Sequence, residues 1–144
     1  MINIIYRSTM INLINLKEKA PLLGKVAYSI FAGVFGAAVI VMFLTVFMEL
    51  YRVESFVPWI IAFNTAVTGY SLIDKTRDTL KYKQISSICA GILTVVITYL
   101  LLSLLSFHLF SETIFSKWDI PLFIIIGIIC SELGALLAIK YFKL

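Results

Sequence analysis

Four long runs of apolar residues dominate the sequence, and segments richer in polar and charged residues separate them. Each run is roughly 20 residues long or more, the length that an α-helix needs to cross about 30 Å of hydrocarbon. The runs do not alternate apolar with polar residues, as the strands of a membrane β-barrel do. We therefore predict an all-α polytopic integral membrane protein whose four transmembrane helices span about residues 26–48, 55–73, 84–107 and 120–139.

A more polar segment, residues 1–25, precedes this four-helix transmembrane domain of residues 26–144. Its apolar residues recur at helical spacing, while asparagines and Arg7 fall largely elsewhere. We predict a short amphipathic helix lying on the cytoplasmic membrane surface, separated from the first span by Pro21, with a disordered tail as the alternative. The residues that form its apolar face are Ile2, Tyr6, Met10, Leu13 and Leu16.

The composition agrees with a protein that resides in lipid. Hydrophobic residues make up 61% of the chain and charged residues 14%, with a mean hydropathy of +1.02, whereas a soluble domain is about half apolar and one-quarter charged. This balance excludes a soluble enzyme, a disordered chain and a disulfide-stapled secreted module. The sequence contains no HExxH, no GxSxG, no phosphate-binding glycine loop and one histidine. We predict a protein that is not an enzyme and has no cofactor and no metal site.

The basic residues indicate the orientation. Ten of the 12 lie in the N-terminal segment, the loop after the second span and the C-terminus, and only Arg52 and Lys117 lie in the other two loops. Loops rich in lysine and arginine stay in the cytoplasm. We predict a multi-pass protein of the cell (plasma or inner) membrane with cytoplasmic N- and C-termini, whose partners include anionic lipid head groups and no nucleic acid. The cytoplasmic basic face comprises Lys75, Arg77, Lys81, Lys83 and Lys140.

The two halves of the chain share short motifs. Residues 29–34, SIFAGV, match residues 87–92, SICAGI, near the starts of the first and third spans. The pattern G-x-x-L-x-x-K closes the second span at residues 69–75 and the fourth at residues 134–140. We predict an internal 2+2 repeat of parallel halves, related by an axis along the membrane normal.

Small and hydroxylic residues form a stripe along each span. Helices in lipid associate through close backbone approach and interhelical hydrogen bonds, so these stripes are predicted contact faces. Those assigned to helix packing are Gly33, Gly36, Gly91, Gly127, Ser131 and Gly134. Since four narrow helices enclose little space, we also expect a homo-oligomer or a complex with a partner membrane protein.

Glu132 is the one acidic or basic residue within the predicted spans, and it lies near the middle of the fourth. A charged carboxyl facing lipid costs a few kcal/mol, which suggests a function or a partner. Helix rise makes Glu132 level with about Thr68 and Thr94. One hypothesis has Glu132 bind a proton, a cation or a polar head group during transport. The other has a protonated carboxyl hydrogen-bonded to Thr68 or Thr94, or meeting a second subunit.

The ends of the second and fourth spans resemble those of the GtrA-like four-helix membrane proteins, over residues 25–142. The residues that carry the resemblance are Tyr70, Ser71, Leu72 and Lys75 after one span, and Leu136, Leu137, Lys140, Tyr141 and Phe142 after the other. Asp74 and Ile139 stand where that family usually has asparagine. The resemblance implies movement of polyprenyl-phosphate-linked sugars, with Lys75, Arg77 and Lys140 placed to meet a phosphate at the inner leaflet.

Two functions fit these observations. The first is a small transporter, channel or flippase subunit, whose polar intramembrane path would be lined by Glu132, Asn64, Thr68, Thr94 and Thr98. The second is a non-transporting membrane anchor, accessory subunit or immunity or defence component that binds a partner through its cytoplasmic face.

Overall fold

A computed structural model of the chain is all-helical in its regular structure. The four helices are α1 (Ile2–Phe47), α2 (Leu50–Lys75), α3 (Lys83–Phe110) and α4 (Asp119–Phe142). The structure describes residues 2–77, 80, 82–111, 115 and 119–143, of which residues 2–19, 50 and 110 are described by their backbone alone. The all-helical prediction is confirmed, and each helix contains a segment long and apolar enough to span a membrane: Ala20–Phe47, Tyr51–Lys75, Lys83–Leu109 and Asp119–Phe142.

The first helix differs from the prediction at its N-terminal end. α1 is continuous over 46 residues and Pro21 lies inside it, although proline removes one backbone hydrogen bond from a helix interior. At 1.5 Å per residue α1 is about 69 Å long, far more than one membrane crossing requires. A separate interfacial helix is therefore not confirmed, and the side chains of its predicted apolar face lie outside the described residues.

Helices α2 and α3 form the centre of the bundle. They contact each other, and each also contacts α1 and α4. The described residues of α1 and α4 make no contact with one another. The short connection at Met48 and Glu49 makes α1 and α2 antiparallel neighbours. We call the end of the bundle that carries Lys75, Lys83 and Lys140 the basic end.

Apolar residues fill the bundle on both sides of a polar middle layer. The connection between α3 and α4 contributes Phe115, whose ring lies 5.3 Å from that of Tyr99 and 5.9 Å from that of Phe123, measured between centroids. A smaller cluster at the basic end contains Ile73, Ala135 and Ala138. The larger cluster comprises Ala37, Val41, Val53, Val57, Ile60, Ile61, Val95, Leu102, Phe115 and Phe123.

Helices α2 and α4 approach each other through a reciprocal glycine contact. A Cβ added to Gly69 would overlap the carbonyl oxygen of Ser131, and a Cβ added to Gly134 would overlap the carbonyl oxygen of Ala66. Gly69 and Gly134 match in the predicted repeat, and Ala66 and Ser131 each lie three residues earlier. A local twofold axis between α2 and α4 produces this pattern. It does not extend to the whole bundle, because α2 contacts α3 while the described residues of α1 make no contact with those of α4, so the internal repeat stays a prediction.

Candidate functional site

Hydroxyl and amide side chains occupy the interior between the apolar clusters. Every side-chain nitrogen or oxygen that is fully buried within the described part of the chain has a hydrogen-bond partner. All four uncharged residues of the predicted polar path belong to this layer, and its buried members on α1 to α4 include Ser29, Asn64, Thr65, Thr68, Ser87, Thr94, Thr98 and Ser131.

Three residues of the predicted path lie together, and the side chain of each donates a hydrogen bond to a backbone carbonyl of its own helix. The amide Nδ2 of Asn64 donates to the Ile60 carbonyl at 2.8 Å. Thr68 Oγ1 donates to the Asn64 carbonyl at 3.0 Å. Thr94 Oγ1 donates to the Ala90 carbonyl at 2.8 Å and lies 3.4 Å from Thr68 Oγ1, which links α3 to α2. These side chains therefore bond mainly to the preceding turn of their own helices, a common arrangement for threonine within helices.

Glycines of α1 close this layer from the side. A Cβ on Gly33 would overlap Thr68 Oγ1 and would lie 3.2 Å from Thr94 Cγ2. A Cβ on Gly36 would lie 2.5 Å from Asn64 Oδ1. The two positions leave no space for a methyl group, so α1, α2 and α3 meet here in a tightly packed seam.

Two serines join α3 to α4 by exchanging hydrogen bonds. Ser87 Oγ donates to the Ser131 carbonyl at 2.9 Å, and Ser131 Oγ donates to the Ser87 carbonyl at 2.8 Å. One turn away, a Cβ on Gly91 would lie 2.8 Å from the Gly127 carbonyl oxygen, and a Cβ on Gly127 would overlap Val95 Cγ2. Small residues thus allow the backbones to approach closely enough for hydroxyl-to-carbonyl bonds between helices.

Glu132 lies outside this interior layer. It is half-buried, and no described residue forms a hydrogen bond or ion pair with its carboxylate. Consecutive helical residues point about 100° apart, so Ser131 faces the bundle while Glu132 lies on the flank of α4. Its distance from the midpoint of α4 is about 2 Å along the helix axis.

One hypothesis for Glu132 is therefore wrong within the single chain. The carboxyl forms no hydrogen bond to Thr68 or Thr94, whose hydroxyls donate to carbonyls of their own helices. The prediction places Glu132 in the interior opposite Thr68 and Thr94, whereas the residue lies on the flank of α4. The remaining hypotheses, a functional carboxyl or a contact with a second subunit, are unaffected.

Two cations at the basic end lie over aromatic rings. Lys75 Nζ lies 4.2 Å from the centroid of the Tyr28 ring. The Arg77 guanidinium lies 3.4 Å from the centroid of the Phe142 ring and also forms an ion pair with Asp74. The pairing of Lys75 with Tyr28 could not be predicted from the sequence, because it joins residues far apart in the chain. Of the other predicted basic residues, Lys83 is half-buried, Lys140 is exposed, and Lys81 lies outside the described residues.

Two apolar cavities lie away from Glu132. One of about 150 Å³ lies between α3 and α4, beside Val95, Tyr99 and Phe123. One of about 20 Å³ lies between α1 and α3, beside Val41 and Leu102. The described residues contain no group of three or more histidine, cysteine, aspartate or glutamate side chains that could hold a metal ion.

Comparison of the chain with protein-family models, with curated protein sequences and with solved structures finds no match. The resemblance to the GtrA-like proteins stays a prediction that depends on the residues at the ends of α2 and α4.

Proposed function

We propose that the protein is a subunit of a transport assembly in the cell membrane, acting as a transporter, channel or flippase subunit with Glu132 as its intramembrane site. The observation that carries this proposal is a half-buried carboxyl near the middle of α4 with no partner among the described residues. Placing an ionisable side chain at this depth costs free energy, and such side chains mark ion or substrate pathways in membrane proteins.

The packing of the interior supports a path along the flank of α4 and not through the centre of one bundle. Asn64, Thr68 and Thr94 donate to backbone carbonyls, and Gly33 and Gly36 leave no space beside them. A path beside Glu132 needs a second wall. In this proposal a second copy of the chain or a partner membrane protein supplies that wall, which also gives the carboxyl a polar environment.

The test is ion flux through the purified protein in liposomes. We expect a pH-sensitive dye to report proton movement, or a K⁺ or Na⁺ gradient to dissipate, faster than in empty liposomes. Glu132→Gln keeps the size of the side chain and removes its charge, so we expect it to lower the flux at least about tenfold. Glu54→Gln is the matched control and should leave the flux unchanged. Glu54 is an exposed acid near the end of the bundle opposite the basic end.

Two results would contradict the transport proposal. One is wild-type flux no faster than that of empty liposomes under all three gradients. The other is a Glu132→Gln variant, shown to be helical and monodisperse, with the flux of the wild type.

A second candidate is a non-transporting anchor, accessory subunit or immunity or defence component that binds a partner through the predicted cytoplasmic face. The observation that favours it is the surface charge of the basic end, where Lys83 and Lys140 have no ion-pair partner in the described part of the chain. Such cations are available to an acidic partner.

Cross-linking in intact membranes separates the two candidates. If the second is correct, replacing Lys75, Arg77, Lys81 and Lys83 by glutamine will remove the cross-linked species, while Glu132→Gln will retain it. The reverse pattern, with the species lost only in Glu132→Gln, would contradict a partner on the basic face.

A further inference from the structure

We propose that the edge where α1 meets α2 at the basic end binds the phosphate of an anionic phospholipid. The ligand would lie between Lys25 and Lys75, beside the ring and hydroxyl of Tyr28. We call these three residues the Lys25–Lys75 site. The proposal does not depend on Glu132 or on transport.

The two lysines are brought level by the contact between their helices. The hydroxyls of Ser29 and Ser71 lie 3.4 Å apart, and Ser29 Oγ donates to the Lys25 carbonyl at 3.0 Å. Lys25 precedes Ser29 by four residues and Lys75 follows Ser71 by four residues. Because α1 and α2 are antiparallel, both lysines lie about 6 Å beyond the serine contact, on the side of the basic end.

The charges of this pair are not neutralised by the protein. Lys25 and Lys75 are exposed, and neither forms an ion pair with a described residue. Asp74, the residue next to Lys75, pairs with Arg77 instead. Lys75 Nζ lies over the ring of Tyr28, which is 58% exposed. Two ammonium groups and a phenol hydroxyl are thus available to an external anion.

The position of the Lys25–Lys75 site at the membrane surface favours a lipid phosphate as its ligand. Lys75 is the last residue of the apolar segment of α2. Lys25 lies 22 residues before Phe47, which is about 33 Å along the helix and slightly more than the hydrocarbon thickness. Lysine and tyrosine side chains at this level reach the head groups. In the predicted topology these head groups belong to the cytoplasmic leaflet, which carries the anionic lipids.

Lipid binding to the purified protein in a neutral detergent tests the site by native mass spectrometry. The probes are phosphatidylglycerol, phosphatidylcholine and inorganic phosphate. We expect phosphatidylglycerol to bind more tightly than phosphatidylcholine. A lysine near the membrane surface contributes about fivefold to anionic lipid binding, so the double variant Lys25→Gln/Lys75→Gln should weaken phosphatidylglycerol binding about 25-fold.

The matched control is Arg52→Gln/Lys143→Gln, which removes two exposed charges outside the Lys25–Lys75 site and should change binding less than about threefold. Equal loss in both double variants would overturn the site, because binding would then follow net charge. Competition by millimolar inorganic phosphate would overturn the assignment to lipid. The variant Lys25→Arg/Lys75→Arg keeps both charges, and its loss of binding would contradict the charge-based mechanism even if the glutamine variant fails to fold.

Discussion

Gly134→Ala is expected to lower the free energy of unfolding by about 2 kcal/mol. In an ordinary helix interior the same change stabilises by about 1 kcal/mol, since alanine is the better helix former. Here the new methyl group would overlap the carbonyl oxygen of Ala66. A backbone atom cannot rotate away as a side chain can, so α2 and α4 must separate along their contact. Gly69→Ala meets the Ser131 carbonyl in the same way and should have a similar effect.

Reversible unfolding in mixed micelles, followed by circular dichroism during titration with a denaturing detergent, measures this effect. Gly24→Ala is the control, because a Cβ there has nothing within 4 Å. It should leave stability unchanged or raise it slightly. The double variant Gly69→Ala/Gly134→Ala should cost less than the sum of the single variants, since one separation of the helices accommodates both methyl groups. Similar stabilities for Gly134→Ala and Gly24→Ala would contradict the close approach of α2 to α4.

Ser131→Val is expected to destabilise the bundle by about 3 kcal/mol, the second large effect. Ser131 is fully buried and its hydroxyl and carbonyl take part in the exchange with Ser87. The Ser131 carbonyl also faces Gly69, and the Ser131 Cβ faces Gly91. Valine removes the hydroxyl and adds two branches at a point where three helices meet.

The variant Ser131→Ala separates the hydrogen bond from the added volume. An interhelical hydrogen bond in a membrane contributes about 0.6 kcal/mol on average and at most about 1.7 kcal/mol, so alanine should cost roughly 1 kcal/mol. Cys130→Val serves as the control, because Cys130 is only half-buried and should tolerate the change. The same micelle titration measures all three variants. Equal losses for Ser131→Ala and Ser131→Val would show that space at the junction is not limiting.

The four helices could be predicted from the sequence because the constraint that produces them is local. Each backbone polar group in lipid must be satisfied within its own helix, so a long apolar run admits one solution. The continuation of α1 through Pro21 was not predicted. The ring geometry of proline disfavours a helix interior. This local preference does not include the stability of the long helix that continues on both sides of Pro21.

The arrangement of polar residues could be predicted only in part. Helix rise predicts where Glu132 lies along α4, because that position depends only on counting residues along one helix. Its direction depends on which face of α4 meets α2 and α3, and Ser131, one residue earlier, takes the inward position. The exchange between Ser87 and Ser131 joins residues 44 positions apart, so the sequence indicates the small residues but not their partners.

The reciprocal contact of Gly69 with Ser131 and of Gly134 with Ala66 also bears on the order of biogenesis. Helices enter the membrane in the order of synthesis, and this contact requires the last of the four. Until α4 is synthesised, the faces of Gly69 and Gly91 lack the backbone of Gly127 and Ser131 that they contact in the folded chain. We therefore expect the last helix synthesised to complete the tertiary structure, and a chain interrupted before residue 119 to leave these faces unpacked.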